Sequence, residues 1–292
     1  MATSEQRPKL LVIVGPTASG KSELAMRIAQ EFDGEIIAAD SRTIYKGMNI
    51  GTAKPSAEDQ KLVPHWGLDL IEPGQTYSAS QFKDYAEGKI AEIQARDRLP
   101  VLVGGTGLYI DGVLFDFKFR GTKSARLRTK LEKLSIEELQ SIIRDKHYIM
   151  PENNRNRRYL IRTIETAGQV MSRNDHPRAD AQIIGLLPPD EVLRDRIDRR
   201  AEKIFEGGII KEARETVKKY GPESLKNAGI IYKICAELFE RDSTQKEALE
   251  KFKTADWQYA RRQKTWFKRN PYILWHGDIV SAEHTIKQAL NT

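Results

Sequence analysis

The chain has 292 residues, 39% hydrophobic and 30% charged, with a net charge of +7; this excludes a disordered or fibrous protein and allows one large domain plus a smaller one. A single cysteine, Cys235, excludes an intramolecular disulfide, fits a reducing compartment and sits in a helix-like apolar run that reads as core. The polar residues 1–8 and the short apolar stretch behind them match neither a signal peptide nor a membrane span, so a cytoplasmic protein without a membrane partner is expected.

Leu10–Val14 is a run of five apolar residues that reads as a buried parallel strand. It leads into Gly15-Pro16-Thr17-Ala18-Ser19-Gly20-Lys21-Ser22, which has the phosphate-loop spacing G-x-x-x-x-G-K-[ST], and a helical run over 23–31 follows. The glycines let consecutive N–H groups and the helix N-terminus face one anion, Lys21 adds positive charge, and the Ser22 hydroxyl suits Mg²⁺. Residues 35–39 form a second strand that ends at Asp40, where an α/β sheet presents side chains to its ligand crevice. Residues 41–55 have no clear period and read as a substrate loop beside the phosphate site.

A helix capped by Ser78 is predicted over 78–94, with Phe82, Tyr85, Ala86, Ile90 and Ile93 on its apolar face. Pro100 then opens a strand over 101–103 that runs into Gly104-Gly105-Thr106-Gly107, whose glycines read either as a tight turn or as a place where substrate approaches the backbone. Three such strand–loop–helix units predict an α/β fold, a doubly wound parallel sheet built on the phosphate loop.

The positive charge is concentrated: residues 117–180 carry fifteen Lys/Arg against eight Asp/Glu, an excess equal to that of the whole chain. Amphipathic helices are predicted there over 124–134, 135–146 and 154–167, with Arg155, Arg157, Arg158 and Arg162 close together, and a strand over 182–187 returns to the sheet. The expected organisation is a core over 1–116 and 181–292 interrupted by a small, basic, helical inserted domain over 117–180 that contacts nucleic acid. Helix is expected over 190–220, interrupted at Gly207-Gly208, and onward to Lys268, with a stop at Pro271.

Asp40 suits three roles: a Mg²⁺ ligand, an acceptor of a substrate proton, or a cap. Arg196 and Arg200 lie one turn apart on a helix face that either clamps a diphosphate or is solvated. Residues 257–269 interleave four aromatics with five cations, a pattern compatible with RNA contact or with core packing. Two function classes fit these residues at this point: a phosphate-loop small-molecule kinase with an Arg-rich lid, and an RNA-binding protein switched by nucleotide.

Residues 15–22, 39–55, Pro64-His65, 104–109, 196–200 and 261–267 together closely resemble the signatures of the tRNA dimethylallyltransferase, or tRNA isopentenyltransferase, family. The chain departs from that pattern at Gly229–Tyr232 and in its short insertion. The resemblance implies transfer of a dimethylallyl group from dimethylallyl diphosphate, with Mg²⁺, to the N6 amine of the adenosine 3′ to the tRNA anticodon. It implies Asp40 and Thr106 as catalytic, and Gly15, Thr17, Ala18, Ser19, Gly20, Lys21, Ser22 and Arg200 as diphosphate-binding, with Ser22 also toward the metal. It places Thr17, Ser41, Tyr45, Lys46, Gly47, Arg155, Arg158, Arg162, Arg196, Arg262 and Gln263 on the tRNA substrate, gripped at its anticodon stem-loop, and a monomer is expected.

Overall fold

A computed structural model describes residues 8–119, 125–169, 172–240 and 244–291. In chain order these form β1 (Leu10–Val14), α1 (Lys21–Glu31), β2 (Gly34–Ala38), α2 (Ala57–Leu62), β3 (His65–Trp66), α3 (Ala79–Gln94), β4 (Leu99–Gly104) and α4 (Gly107–Leu114). Then come α5 (Ala125–Leu131), α6 (Ile136–Asp145), α7 (Arg157–Glu165), β5 (Ala181–Leu186), α8 (Asp190–Glu206) and α9 (Ile209–Tyr220). A 3-10 turn over Pro222–Leu225 precedes α10 (Ile230–Glu240), α11 (Gln245–Phe267), β6 (Leu274–His276) and α12 (Ile279–Leu290).

The six strands form one sheet in the order β3-β2-β4-β1-β5-β6, with every pairing parallel. Parallel neighbours require crossovers, which the intervening helices supply. All five residues of β1 are fully buried because the strand is covered on both faces. Leu11 and Ile13 point to a core shared with Leu24 and Ile28 of α1 and with Ala282 and Ile286 of α12. On the other face α3, capped by the reciprocal Ser78–Gln81 hydrogen bonds, packs through Phe82, whose ring stacks on Tyr109 of α4 at 4.1 Å.

The helical run ends at Phe267, before Pro271 as expected; beyond it the chain forms β6 and α12, and α12 completes the core against α1. A three-residue edge strand has too few alternations to announce itself. The same holds for β3 with two residues, and α2 shows no buried face.

Contacts divide the chain into a sheet unit, residues 1–114 and 176–292, and a second unit, Phe115–Asp175. The expected insertion bounds of 117–180 shift accordingly, because the Arg178 N–H donates to the Leu114 carbonyl at 2.8 Å and the Asp180 carbonyl accepts from the N–H groups of Lys9 and Leu10. Residues 176–180 therefore lead into β5. The second unit has its own core of Leu131, Leu139, Ile143, Leu160, Ile161 and Ile164, contributed by α5, α6 and α7. Its one deeply buried carboxylate, Glu165, is met by Arg128 at 3.4 Å and Arg162 at 3.7 Å. The expected helix start at 124 lies outside the described residues.

Candidate active site

The phosphate loop joins the C-terminal end of β1 to α1 and opens into a cleft of about 910 Å³. Thr17, Ala18, Gly20, Lys21 and Ser22 line this cleft together with Asp40, and Thr52–Pro55 and Arg200 form further parts of the wall. Gly20 adopts φ +98° at the N-terminus of α1, and Ala18 is left-handed at φ +60°, so the loop curls around the helix end. Ser19 is buried, and among the described residues its hydroxyl has no hydrogen-bond partner. The Lys21 ammonium donates to the Pro16 carbonyl at 3.1 Å. Burial pushes it down to about 8, against the pull of Asp40, while Arg200 adds to the lowering. An anion entering the cleft meets a lysine that gains from its charge.

Asp40 follows β2 by two residues. One of its carboxylate oxygens, Oδ1, accepts from the Arg42 N–H at 2.8 Å, which fixes the group at the start of the loop. Thr106 stands opposite: its Oγ1 accepts from the Ser41 N–H at 3.0 Å, and its own N–H donates to the Ala39 carbonyl at 3.2 Å. Sequence reasoning missed Tyr259 of α11, a phenol within reach of the Asp40 charge. Burial, reinforced by the charge of Asp40, pushes that phenol up to about 12, so it stays protonated at neutral pH. Its i, i+4 spacing with Gln263 was the available signal, since the two share a helix face.

Gly105 and Gly107 make room for side chains of α11, while Gly104 lines the cleft. A Cβ on Gly105 would lie 2.2 Å from the Gln263 amide nitrogen, and one on Gly107 would lie 2.2 Å from the indole of Trp266. Gln263, expected on the tRNA side, is buried: its Oε1 accepts from the Thr17 N–H at 2.8 Å and its Nε2 donates to the Gly105 carbonyl at 2.9 Å. It thereby ties the phosphate loop to the loop that carries Thr106. Trp266 donates to Asp111 of α4 at 2.8 Å.

Arg196 and Arg200 both reach the cleft from α8. Arg196 donates to the Ser19 carbonyl at 3.2 Å, and Arg200 donates to Asp256 of α11 at 2.9 Å. Asp256 is a second residue the sequence reading missed; it is 4% exposed, and burial raises its carboxyl despite the guanidinium beside it.

Tyr45, expected on the tRNA side, is 4% exposed and packs with Ile44, Met48 and Tyr232. Lys46 is exposed and paired with Glu72 at 2.9 Å, and Gly47 is exposed with φ +72°. Arg262 is exposed with its guanidinium over the Tyr259 ring. In the second unit, Arg155 and Arg158 are exposed, while Arg162 is half-buried beside Glu165. Among the described residues, no group of three or more His, Cys, Asp or Glu side chains is placed to hold a metal, and no helix is long and apolar enough to cross a membrane.

A family model described as IPP transferase matches residues 43–270, and one described as isopentenyl transferase matches residues 8–65. The tRNA dimethylallyltransferase of Bacillus cytotoxicus is 34% identical over 96% of this chain and 93% of its own length. That of Bacillus anthracis is 35% identical over 96% of this chain and 94% of its own. The crystal structure of the full-length tRNA isopentenylpyrophosphate transferase from Bacillus halodurans superposes with a TM-score of 0.73 at 32% identity, covering 97% of each chain. A eukaryotic dimethylallyltransferase acting on tRNA shares the fold, with a TM-score of 0.76 at 24% identity over 96% of this chain and 77% of its own. The phosphate loop, the Asp40 loop and the Arg-Arg-Gln-Lys-Thr-Trp segment thus sit in a chain that belongs to the IPP transferase family, whose curated members here are tRNA dimethylallyltransferases.

Proposed function

We propose that this chain transfers the dimethylallyl group of dimethylallyl diphosphate to the N6 amine of the adenosine 3′ to the anticodon in tRNA. The observation that carries the reading is the shared cleft: the phosphate loop and Arg200 face the same space as the carboxylate of Asp40. A diphosphate held by the loop N–H groups, Lys21, Ser19 and Arg200 becomes a good leaving group, because its developing charge is met by positioned donors. The allylic C1–O bond breaks with its electron pair leaving on the diphosphate. The adenine amine forms the new C1–N bond, and its proton passes to Asp40. Thr106 holds the Ser41 backbone beside Asp40 and so orients that carboxylate's loop.

The exposed Ser22 hydroxyl at the cleft would be the residue to hold a Mg²⁺, a small, hard ion that suits oxygen donors at phosphate sites. When bound it would add charge neutralisation at the leaving group. A stacked adenine cannot reach a recessed loop, so the base enters unstacked. Arg155 and Arg158 supply exposed charge for the RNA backbone. The reading has the protein act in the cytoplasm as a monomer. A kinase reading prefers an acid after β4, and that position carries Gly104-Gly105-Thr106-Gly107 instead.

The test is incubation of the purified protein with Mg²⁺, labelled dimethylallyl diphosphate and tRNA that lacks the modification, followed by nuclease digestion. Label in N6-(dimethylallyl)adenosine is the expected result; label confined to the donor would overturn the reading.

A further inference from the structure

Asp40 and the cleft wall Thr52–Pro55 are the two ends of one loop that no strand pairing spans as a whole. The loop's far end is a hydrogen-bonded turn: the Thr52 hydroxyl donates to the Met48 carbonyl at 2.6 Å, and the Lys54 N–H donates to the Asn49 carbonyl at 3.0 Å. The first N–H groups of such a turn have no partner within it. Here three consecutive ones converge on a single carboxylate, Glu212 of α9. Its Oε2 accepts from the Asn49 and Ile50 N–H groups, each at 2.8 Å, and its Oε1 accepts from the Gly51 N–H at 3.0 Å. The Tyr232 hydroxyl of α10 donates to Oε1 at 2.6 Å.

Glu212 is 9% exposed and Tyr232 fully buried, so water is a poor substitute for either partner. Gly51 belongs to the same arrangement: a Cβ there would lie 2.7 Å from the Tyr232 ring and 2.6 Å from Ile209. Three backbone dipoles and a phenol carry the carboxylate's charge, in the manner of an anion in a nest.

We infer that Glu212, backed by Tyr232, is a positioning residue for the transfer reaction: it fixes the cleft wall Thr52–Pro55, and through the same loop the approach to Asp40. The phosphate loop is anchored separately, by Gln263, and shares no hydrogen bond with Glu212. Loosening the wall therefore shifts that side of the cleft and the approach to Asp40 while leaving the phosphate loop's own anchor intact. The inference rests on the proposed transfer reaction, and its variants are compared with a wild-type protein in which product formation has been measured.

The experiment measures kcat, the KM for dimethylallyl diphosphate and the dissociation constant of inorganic pyrophosphate for wild type, Glu212→Gln and Tyr232→Phe, each well below its own melting temperature. Gln turns an NH₂ toward N–H groups that need an acceptor, so Glu212→Gln is expected to lower kcat by about tenfold or more; Tyr232→Phe, which removes one donated bond, should lower it by about two- to fivefold. Pyrophosphate affinity stays within about twofold in both, whereas a role confined to stability would leave kcat of the folded enzyme unchanged. Faster amide exchange over residues 41–55, with residues 15–22 unaffected, is the accompanying signature. Wild-type kcat and KM in folded Glu212→Gln would overturn the inference, as would parallel loss of pyrophosphate affinity. If Glu212→Gln fails to fold, wild-type kcat in Tyr232→Phe overturns it. Absence of product with the wild-type protein would sink the transfer reading itself, a separate outcome.

Discussion

Arg200 on α8 and Asp256 on α11 hold each other at 2.9 Å, so the cation that faces the diphosphate cleft already has a buried counter-charge. An incoming diphosphate supplies the same negative charge, and the carboxylate becomes redundant once the ligand is bound. Asp256→Asn should lower the stability of the free protein by about 1–3 kcal/mol, because Arg200 loses its buried carboxylate partner and Asp40 alone then offsets the Arg200–Lys21 repulsion. Saturating pyrophosphate should recover most of that loss. Thermal melts of both proteins with and without pyrophosphate check this; an equal deficit in both conditions would contradict it.

Lys21 gives a pH dependence with a defined sign. Its ammonium is lowered from 10.5 to about 8 by burial, so between about 8 and 10.5 the unfolded chain holds a proton that the native protein has released. This group therefore adds stability as pH rises through that window and opposes folding most below about 8. Donor binding runs the other way, since the diphosphate favours the charged lysine: affinity should be level below about 8 and then fall, by at most about tenfold per pH unit. Isothermal titration of dimethylallyl diphosphate from pH 6.5 to 9.5 measures it, with Lys21→Ala as the control that removes the difference.

Gln263→Ala separates two roles for one residue. The structure has the amide spanning Thr17 and Gly105, so the substitution orphans two backbone groups, costs about 2–4 kcal/mol and raises the KM for the donor. A contact to tRNA would instead raise the KM for tRNA alone, and steady-state kinetics in both substrates distinguishes the two.

Arg155 and Arg158 are exposed in the second unit and are expected to meet RNA phosphates. Replacing both by Ala should weaken tRNA binding at low salt and reduce the slope of log K against log salt by about 1.5, with donor affinity unchanged. Filter binding over a salt series tests it, and an unaltered slope would remove these two residues from the interface.

The sheet was legible because β1, β2 and β4 are apolar runs followed at fixed spacing by a glycine loop or an acid, which is local information. The phosphate loop and Asp40 were legible for the same reason. Asp256, Tyr259 and Glu212 were not: Asp256 pairs with a residue 56 positions away, Glu212 with backbone groups 161 to 163 positions away, and each of the three looks in sequence like an ordinary helical polar or aromatic residue. Residues 104–107 show the limit in another form. The glycine pattern signals a close approach, but only packing reveals that Gln263 and Trp266 of α11 are what approach. The 257–269 segment, open between core and RNA contact, divides along its helix faces: Gln263 and Phe267 are buried, and Arg261 and Arg262 are exposed.

The central claim is that Asp40 takes the proton of the attacking amine while the phosphate loop holds the leaving group. Single-turnover transfer by Asp40→Ala, with donor and tRNA pre-bound at saturation, tests it most directly. The account predicts a rate lower by a factor on the order of 10² or more, with donor and tRNA dissociation constants within about twofold of wild type. A single-turnover rate like that of the wild type would contradict it.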